Sequence, residues 1–231
     1  MPSGYALVHR SSLREQIARA LRDDMVTGRL PAGERFTVRD IAERYGVSAT
    51  PVREALVELA ALQLVEIVHH RGFQVRQQTW EDFDEILDAR RVLTEGMLAS
   101  LPGRVPDGFP EGELTTVRRR AMDARRAAEA GDVDVMVVCD LRYWWELNRL
   151  LSNRRVADFA DNLRVLAWMF LVPRVRPFAP LRGHLWGRQM ELVEGLQRGD
   201  WAAVAEEMRA YHRFAAEGVA PLRERSAPSS S

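Results

Sequence analysis

Residues 37–75 read TVRDIAERYGVSATPVREALVELAALQLVEIVHHRGFQV, and this stretch decides how the chain is read. Thr37 stands three residues before Asp40, the spacing at which two side chains cap each other's backbone N–H groups at a helix start. Val38, Ile41 and Ala42 then share one helical face, and Gly46 ends the helix. Ser48 or Thr50 caps the next helix, with Pro51 in its first turn, where a missing N–H costs nothing. Val52, Ala55, Leu56, Leu59 and Leu62 recur at helical spacing as its buried stripe. Two helices joined by the glycine-containing turn YGVS form a helix-turn-helix pattern. Val65 and Ile67, then Phe73 and Val75, alternate with polar residues as in a half-buried hairpin, with His69, His70, Arg71 and Gly72 at its tip. A hairpin directly after a helix-turn-helix reads as a wing.

Upstream, Ser11 or Ser12 caps a first helix, with Glu15 as the capping-box partner of Ser12. Leu13, Ile17, Ala20, Leu21 and Met25 repeat along it until Gly28. Downstream the pattern changes near residue 78, and long helical periodicities take over. Thr79 and Asp82 open a helix carrying Ile86, Leu87, Leu93, Met97 and Leu98. Residues 102–112 hold three prolines and three glycines and read as a loop. Helices are expected over 113–130, 132–152, 154–172, 182–198 and 200–218, with Pro173, Pro177 and Pro180 breaking the chain between two of them. The expected domains are 1–78 and 79–222, followed by a disordered tail over 223–231.

The chain has 231 residues, enough for two domains, and 46% of them are hydrophobic, which is the makeup of a folded protein. No apolar run is long enough to span a membrane and no secretory signal is legible, so a cytoplasmic protein is expected. The single cysteine, Cys139, supports neither an internal disulfide nor a zinc cluster. The 33 basic residues balance 33 acidic ones, and every basic residue is arginine. Without lysine, Schiff-base chemistry and a P-loop are excluded. Residues 1–78 carry 11 arginines against 9 acidic residues, a surplus of only two, so affinity for a polyanion must come from where the charges sit.

The pieces G-x-L-x-x-G at 28–33, Ile41-Ala42-x-x-x-Gly46-Val47-Ser48-x-x-Pro51-Val52-Arg53-Glu54-Ala55-Leu56 and Arg71-Gly72-x-x-Val75 stand at one family's spacing. On them, the first 77 residues resemble the winged helix-turn-helix domain of the GntR family of bacterial transcription regulators. The stretches FDEILDARRVL, DLRYWWELNRLLSNRRV and MELVEGLQRGDWAAVAEEMRAYH resemble, more weakly, the FCD type of GntR effector domain, an all-helical bundle. The expected fold is therefore mainly α, a winged helix-turn-helix followed by an FCD-like bundle.

A helix offered to the major groove reads bases with its N-terminal side chains. Arg53, opposite the Leu56 and Leu59 stripe, is the candidate for guanine. Ser48 and Thr50 reach phosphate or a base edge. The resemblance adds Arg39, at a family position that contacts DNA. His70 and Arg71 at the wing tip are candidates for the minor groove, with Gly72 permitting close approach. Arg10, Arg44 and Arg76 are further phosphate candidates. Where the family usually carries a DNA-contacting arginine, this chain has Ala49, so the operator is expected to depart from the common family half-site.

The resemblance also implies a divalent metal held by one aspartate and three histidines, gripping a carboxylate effector. The aspartate aligns with Asp140, and the histidines with Trp144, Gln189 and Tyr211. With three of four ligands lost, no transition metal is expected, although His212 or His184 stands close enough to rescue a site. Trp144 either closes the pocket or helps line it for a more apolar effector, alongside Trp145, Trp168, Phe170, Trp186 and Trp201. Arg90 matches a family arginine and is a candidate partner for an anionic effector or for Asp140; Tyr143 and Asn148 are minor candidates. Cys139 reads as a buried apolar residue, with a redox role the less favoured alternative.

These readings imply a homodimeric, DNA-binding regulator, with repression the expected outcome, on a near-palindromic operator of double-stranded DNA and under small-molecule control. The alternative is a DNA-binding dimer with a closed, ligand-free bundle. No catalytic constellation is present, and the aminotransferase-bearing GntR relatives need a longer chain and a lysine, so no enzyme is expected.

Overall fold

The computed structural model describes residues 12–68 and 71–226. The chain forms two compact units, Met1–Gln77 and Gln78–Ser231.

The first unit packs three helices against a small sheet. Helix α1 (Leu13–Val26) begins with a capping box between Ser12 and Glu15, whose backbone N–H donates to the Ser12 Oγ at 3.2 Å. Helix α2 (Val38–Tyr45) has the same device: the Thr37 N–H donates to Asp40 Oδ2 at 2.7 Å and the Asp40 N–H returns to Thr37 Oγ1. Gly46 then takes a left-handed conformation, φ +65°, and turns the chain into α3 (Ala49–Ala61). Ile17, Leu21, Ile41, Val52, Leu56 and Leu59 meet in one core.

Two sequence expectations need correction here. Leu62 is not the end of the buried stripe. Gln63 adopts φ +60° just past the helix, and this turn delivers Leu64, not Leu62, to the core. The wing is not a two-stranded hairpin either. Strands β2 (Val65–Val68) and β3 (Gly72–Val75) pair in antiparallel fashion, but β1 (Arg35–Phe36) adds a third strand in the order β1-β3-β2. Phe36 stacks on Phe73 across that edge, with centroids 6.3 Å apart. Two residues are too few to show an alternating pattern. Ile67 lies opposite Phe73 yet is 63% exposed.

Gly72 has a structural duty of its own. Its φ is +88°, and a Cβ there would stand 2.4 Å from the Phe36 carbonyl oxygen. The glycine therefore serves strand packing within the wing.

The second unit is a bundle of α4 (Trp80–Ala99), α5 (Leu101–Arg104), α6 (Glu111–Ala130), α7 (Val133–Leu151), α8 (Arg154–Val175), α9 (Gln189–Arg198), α10 (Trp201–Glu217) and α11 (Ala220–Ser226). Helix α7 packs on α6 and α8, α4 on α8 and α10, and α9 on α6 and α10. Leu114, Tyr143, Leu147, Val193 and Leu196 are at the centre.

Four stretches depart from the expected pattern. Part of the expected loop over 102–112 is the short α5, with Pro102 in its first turn, where proline is tolerated. The helix expected from 182 begins only at Gln189; residues 176–188 hold a single 3-10 turn and irregular chain around Pro177 and Pro180. Pro173 lies inside α8, whose last turn continues to Val175. The segment expected as tail from 223 is helical through Ser226, and residues 227–231 lie outside the described ones.

Candidate functional site

The first candidate site is the exposed face around the start of α3. Arg39 on α2, Arg53 on α3, and Arg71 and Gly72 on the wing border one shallow concavity of about 700 Å³, with Ala49 between them. Arg53 and Arg71 are exposed, and Arg39 shares an exposed ion pair with Glu43 at 2.7 Å. Such a surface pair is worth little and exchanges readily for a phosphate. Ser48 caps α3 by position, but its side chain makes no cap hydrogen bond. Its hydroxyl, like that of exposed Thr50, is left to face solvent at a helix N-terminus, a ready phosphate-binding position.

The other basic candidates divide. Arg44 is engaged: buried Asp24 takes Arg44 at 3.2 Å, Arg29 at 2.7 Å and the Tyr45 hydroxyl at 2.8 Å, tying the end of α1 to the end of α2. Arg76 stands 4.0 Å from Glu66 within the sheet. His70 and Arg10 lie outside the described residues.

The second candidate site is a cavity of about 420 Å³ in the bundle, within the size range of small-molecule sites. Its walls are mainly apolar apart from His184, and its polar end is a cluster from four helices. Asp140 on α7 accepts from the Trp144 indole at 3.0 Å, the Trp168 indole at 2.6 Å and Arg164 Nη1 at 3.1 Å. The Tyr211 hydroxyl on α10 accepts from Arg164 at 2.8 Å and from Arg90 on α4. The Arg164 guanidinium carbon also sits 3.9 Å above the Trp144 ring. Arg90, Asp140 and Arg164 are all less than a tenth exposed. Burial, and then the like charge of Arg164, lower the affinity of Arg90 for its proton.

Of the effector residues expected from sequence, Arg90, Asp140 and Tyr211 border this cavity. Trp144 does not; it backs Arg164. Gln189 is buried elsewhere in the unit, donating to the Trp186 carbonyl at 2.8 Å. Trp168, Trp186 and His184 are on the cavity wall. Phe170 stacks on Phe83 in the core, and Trp201 borders a separate groove between α4 and α10. Trp145 is half exposed under Arg149. Tyr143 and Asn148 are buried: the first reaches the Gln189 carbonyl and the second bonds Asp161. Cys139 is only partly buried; burial, then Asp123, push its thiol up, the reverse of a reactive thiolate.

Sequence reasoning missed Arg164. The signal was present: it is an arginine inside the apolar run Leu163–Ala167, where a charge has no business unless partnered.

The donors around Asp140 do not fit a divalent metal. Its carboxylate is already taken by two indoles and a guanidinium, and Tyr211 receives two arginines. Two buried cations would repel a third. His212 borders the α4–α10 groove instead, and no group of three potential ligands occurs among the described residues.

Residues 13–75 match the family described as "Bacterial regulatory proteins, gntR family". Relatives include the "Probable D-xylose utilization operon transcriptional repressor" of Paenarthrobacter nicotinovorans, 32% identical over 69% of this chain and 65% of that protein. The transcriptional repressor GlaR of Escherichia coli (strain K12) is 34% identical over 54% of this chain and 56% of its own length. The chain thus spans about a third to two thirds of the length of the curated relatives it matches first. The solved structure of E. coli McbR/YncC shares the fold, with a TM-score of 0.72 at 21% identity over 94% of this chain and 99% of that one. A GntR regulator from Rhodococcus sp. RHA1 gives a TM-score of 0.68 at 24% identity, over 89% of this chain and 97% of its own. Residues 13–75 thus carry a domain of the gntR family of bacterial regulatory proteins. That family and these relatives are transcription regulators and not enzymes. Among the described residues no helix is long and apolar enough to cross a membrane.

Proposed function

We propose that this chain is a DNA-binding transcription regulator that acts in the cytoplasm as a homodimer on a near-palindromic operator. Repression is its expected mode, and a small molecule in the bundle cavity sets its affinity for DNA. The reading rests on one observation above the others: Arg39, Arg53 and Arg71 border one concave face beside the free N-terminus of α3. Arg53 reads a base edge, Arg39, Ser48 and Thr50 hold phosphates, and Arg71 with the wing follows the groove. Two such faces related by two-fold symmetry impose a matching symmetry on the operator. Ala49 leaves one usual contact unmade, which shifts base preference.

The bundle works without a bound metal. The open cavity favours effector control over a closed, ligand-free bundle. An effector that binds one DNA-binding state better than the other biases the pair of recognition helices.

The test is a gel-shift titration with the DNA upstream of the chain's own gene, at several salt concentrations. A shift whose affinity falls steeply with salt is expected, and Arg53→Ala should weaken it. Absence of any shift at low salt overturns the reading.

A further inference from the structure

The side chains that align with a metal-ligating set in the resembled family are not idle. Three of the four gather around one guanidinium. Arg164 Nη1 lies 3.1 Å from Asp140 Oδ2 and 2.8 Å from the Tyr211 hydroxyl, and its guanidinium carbon is 3.9 Å from the Trp144 ring centre. The protein thus supplies a fixed cation of its own, carried on α8, at the meeting point of these residues.

The charge balance around it is incomplete. Arg90 and Arg164 are both buried beside the cavity, against the single carboxylate of Asp140. That carboxylate is spent on Arg164 and two indoles. Among the described residues the Arg90 side chain hydrogen-bonds only a neutral hydroxyl, that of Tyr211. The Arg164 Nε is buried with no hydrogen-bond partner among the described residues. A buried cation without a counter-charge is costly, and a bound anion relieves that cost. The surplus on the two arginines is a single positive charge, and apart from His184 and the polar cluster the wall, including Leu87, Leu171, Leu185 and Phe214, is mainly apolar.

We propose that the cavity binds a monocarboxylate with an apolar body, independently of metal, with Arg90 and Arg164 as its anchors. A planar carboxylate matches the fork of a guanidinium. The apolar body replaces water along the wall. A dianion would exceed the surplus, and a neutral ligand would leave it unmet. This inference rests on the reading of the cavity as an effector site.

The test uses the full chain, stripped with EDTA and assayed for metal, in calorimetric and thermal-shift titrations. The probes are octanoate and phenylacetate, their neutral amides, and the dicarboxylate suberate. At least one monocarboxylate should stabilise the metal-free protein, with its amide and suberate about ten-fold weaker or worse. Arg164→Gln removes the partner of Asp140 and is at risk of misfolding, so Arg90→Met is the decisive variant. It should fold with at least wild-type thermal stability and lose about ten- to a hundred-fold in carboxylate affinity. The proposal is overturned if amides bind as well as acids, if binding appears only with added zinc or nickel, if Arg90→Met keeps its affinity, or if no probe binds at millimolar concentration. Operator binding is measured separately without ligand. Its failure strikes the regulator reading, whereas loss of carboxylate binding alone strikes this one.

Discussion

In the N-terminal unit the arginines that border the concave face stand in water; in the bundle two arginines are sealed away from it. Arg53 is exposed on α3, while Arg164 is 5% exposed on α8 and held by Asp140 and Tyr211. A solvated arginine costs the fold almost nothing and is free to be exchanged onto a phosphate. A buried arginine must be matched by its neighbours or it destabilises the chain. On the proposed function, the first unit therefore separates recognition from stability, and the second merges them.

The largest effect is expected where they merge. Asp140→Ala leaves Arg164 and two indole N–H groups without their common acceptor, and should cost about 3–5 kcal/mol in urea unfolding. A loss under about 1 kcal/mol would mean that Arg164 is not bound into the fold as described, and the contrast collapses. Gly72→Ala is next. With φ +88° and the Phe36 carbonyl 2.4 Å from the new Cβ, the wing should lose about 2 kcal/mol.

Arg53→Ala sharpens the other side. Its unfolding free energy should stay within about 0.5 kcal/mol of wild type while operator affinity falls about ten- to a hundred-fold. A destabilised Arg53→Ala protein would break the separation. Thr37→Ala removes half of the α2 capping box and should cost about 1 kcal/mol by thermal unfolding.

The smallest effect concerns pH. His212 is pushed down to about 3 by burial, then by Arg90, Arg164 and Arg91. Its folded value lies below the unfolded one, so the unfolded chain takes up the proton first. The native state is thus penalised as pH falls from 6.5 towards 3, and the stability is fully present above that window. Glu95, Arg209 and Arg213 face the same groove. His212→Leu should lose less melting temperature than wild type between neutral pH and about pH 5, as differential scanning calorimetry will read.

The sequence alone carried the helix-turn-helix because its signals are local. Thr37 with Asp40, Gly46, and the spacing of Val52, Leu56 and Leu59 all act within a few residues, where backbone geometry decides the outcome. The exposed residues of the candidate DNA face were legible for the same reason, since α2, its glycine turn and α3 fix which side chains point away from the core. Arg39, Arg53 and Arg71 come together from two helices and a wing, yet each was marked by its own position. The long helices of the bundle were legible in number and period, less so in their ends: α9 starts seven residues later than expected, and α8 runs through Pro173.

What tertiary structure alone decided is the chemistry of the cavity. Asp140, Trp144, Arg164 and Tyr211 come from α7, α8 and α10, and no periodicity in one helix announces a partner on another. Trp144, expected as a pocket wall or plug, backs a cation. Gln189 is absent from the cavity wall because α9 begins with it, after the irregular chain of 176–188 has carried Trp186 and His184 there instead. The two-residue β1 is of the same kind: it becomes a strand only because β3 lies beside it. Local capping and periodicity are short-range and can be read from neighbours in sequence. Charge compensation and strand pairing depend on distance in space, which only the packed chain fixes.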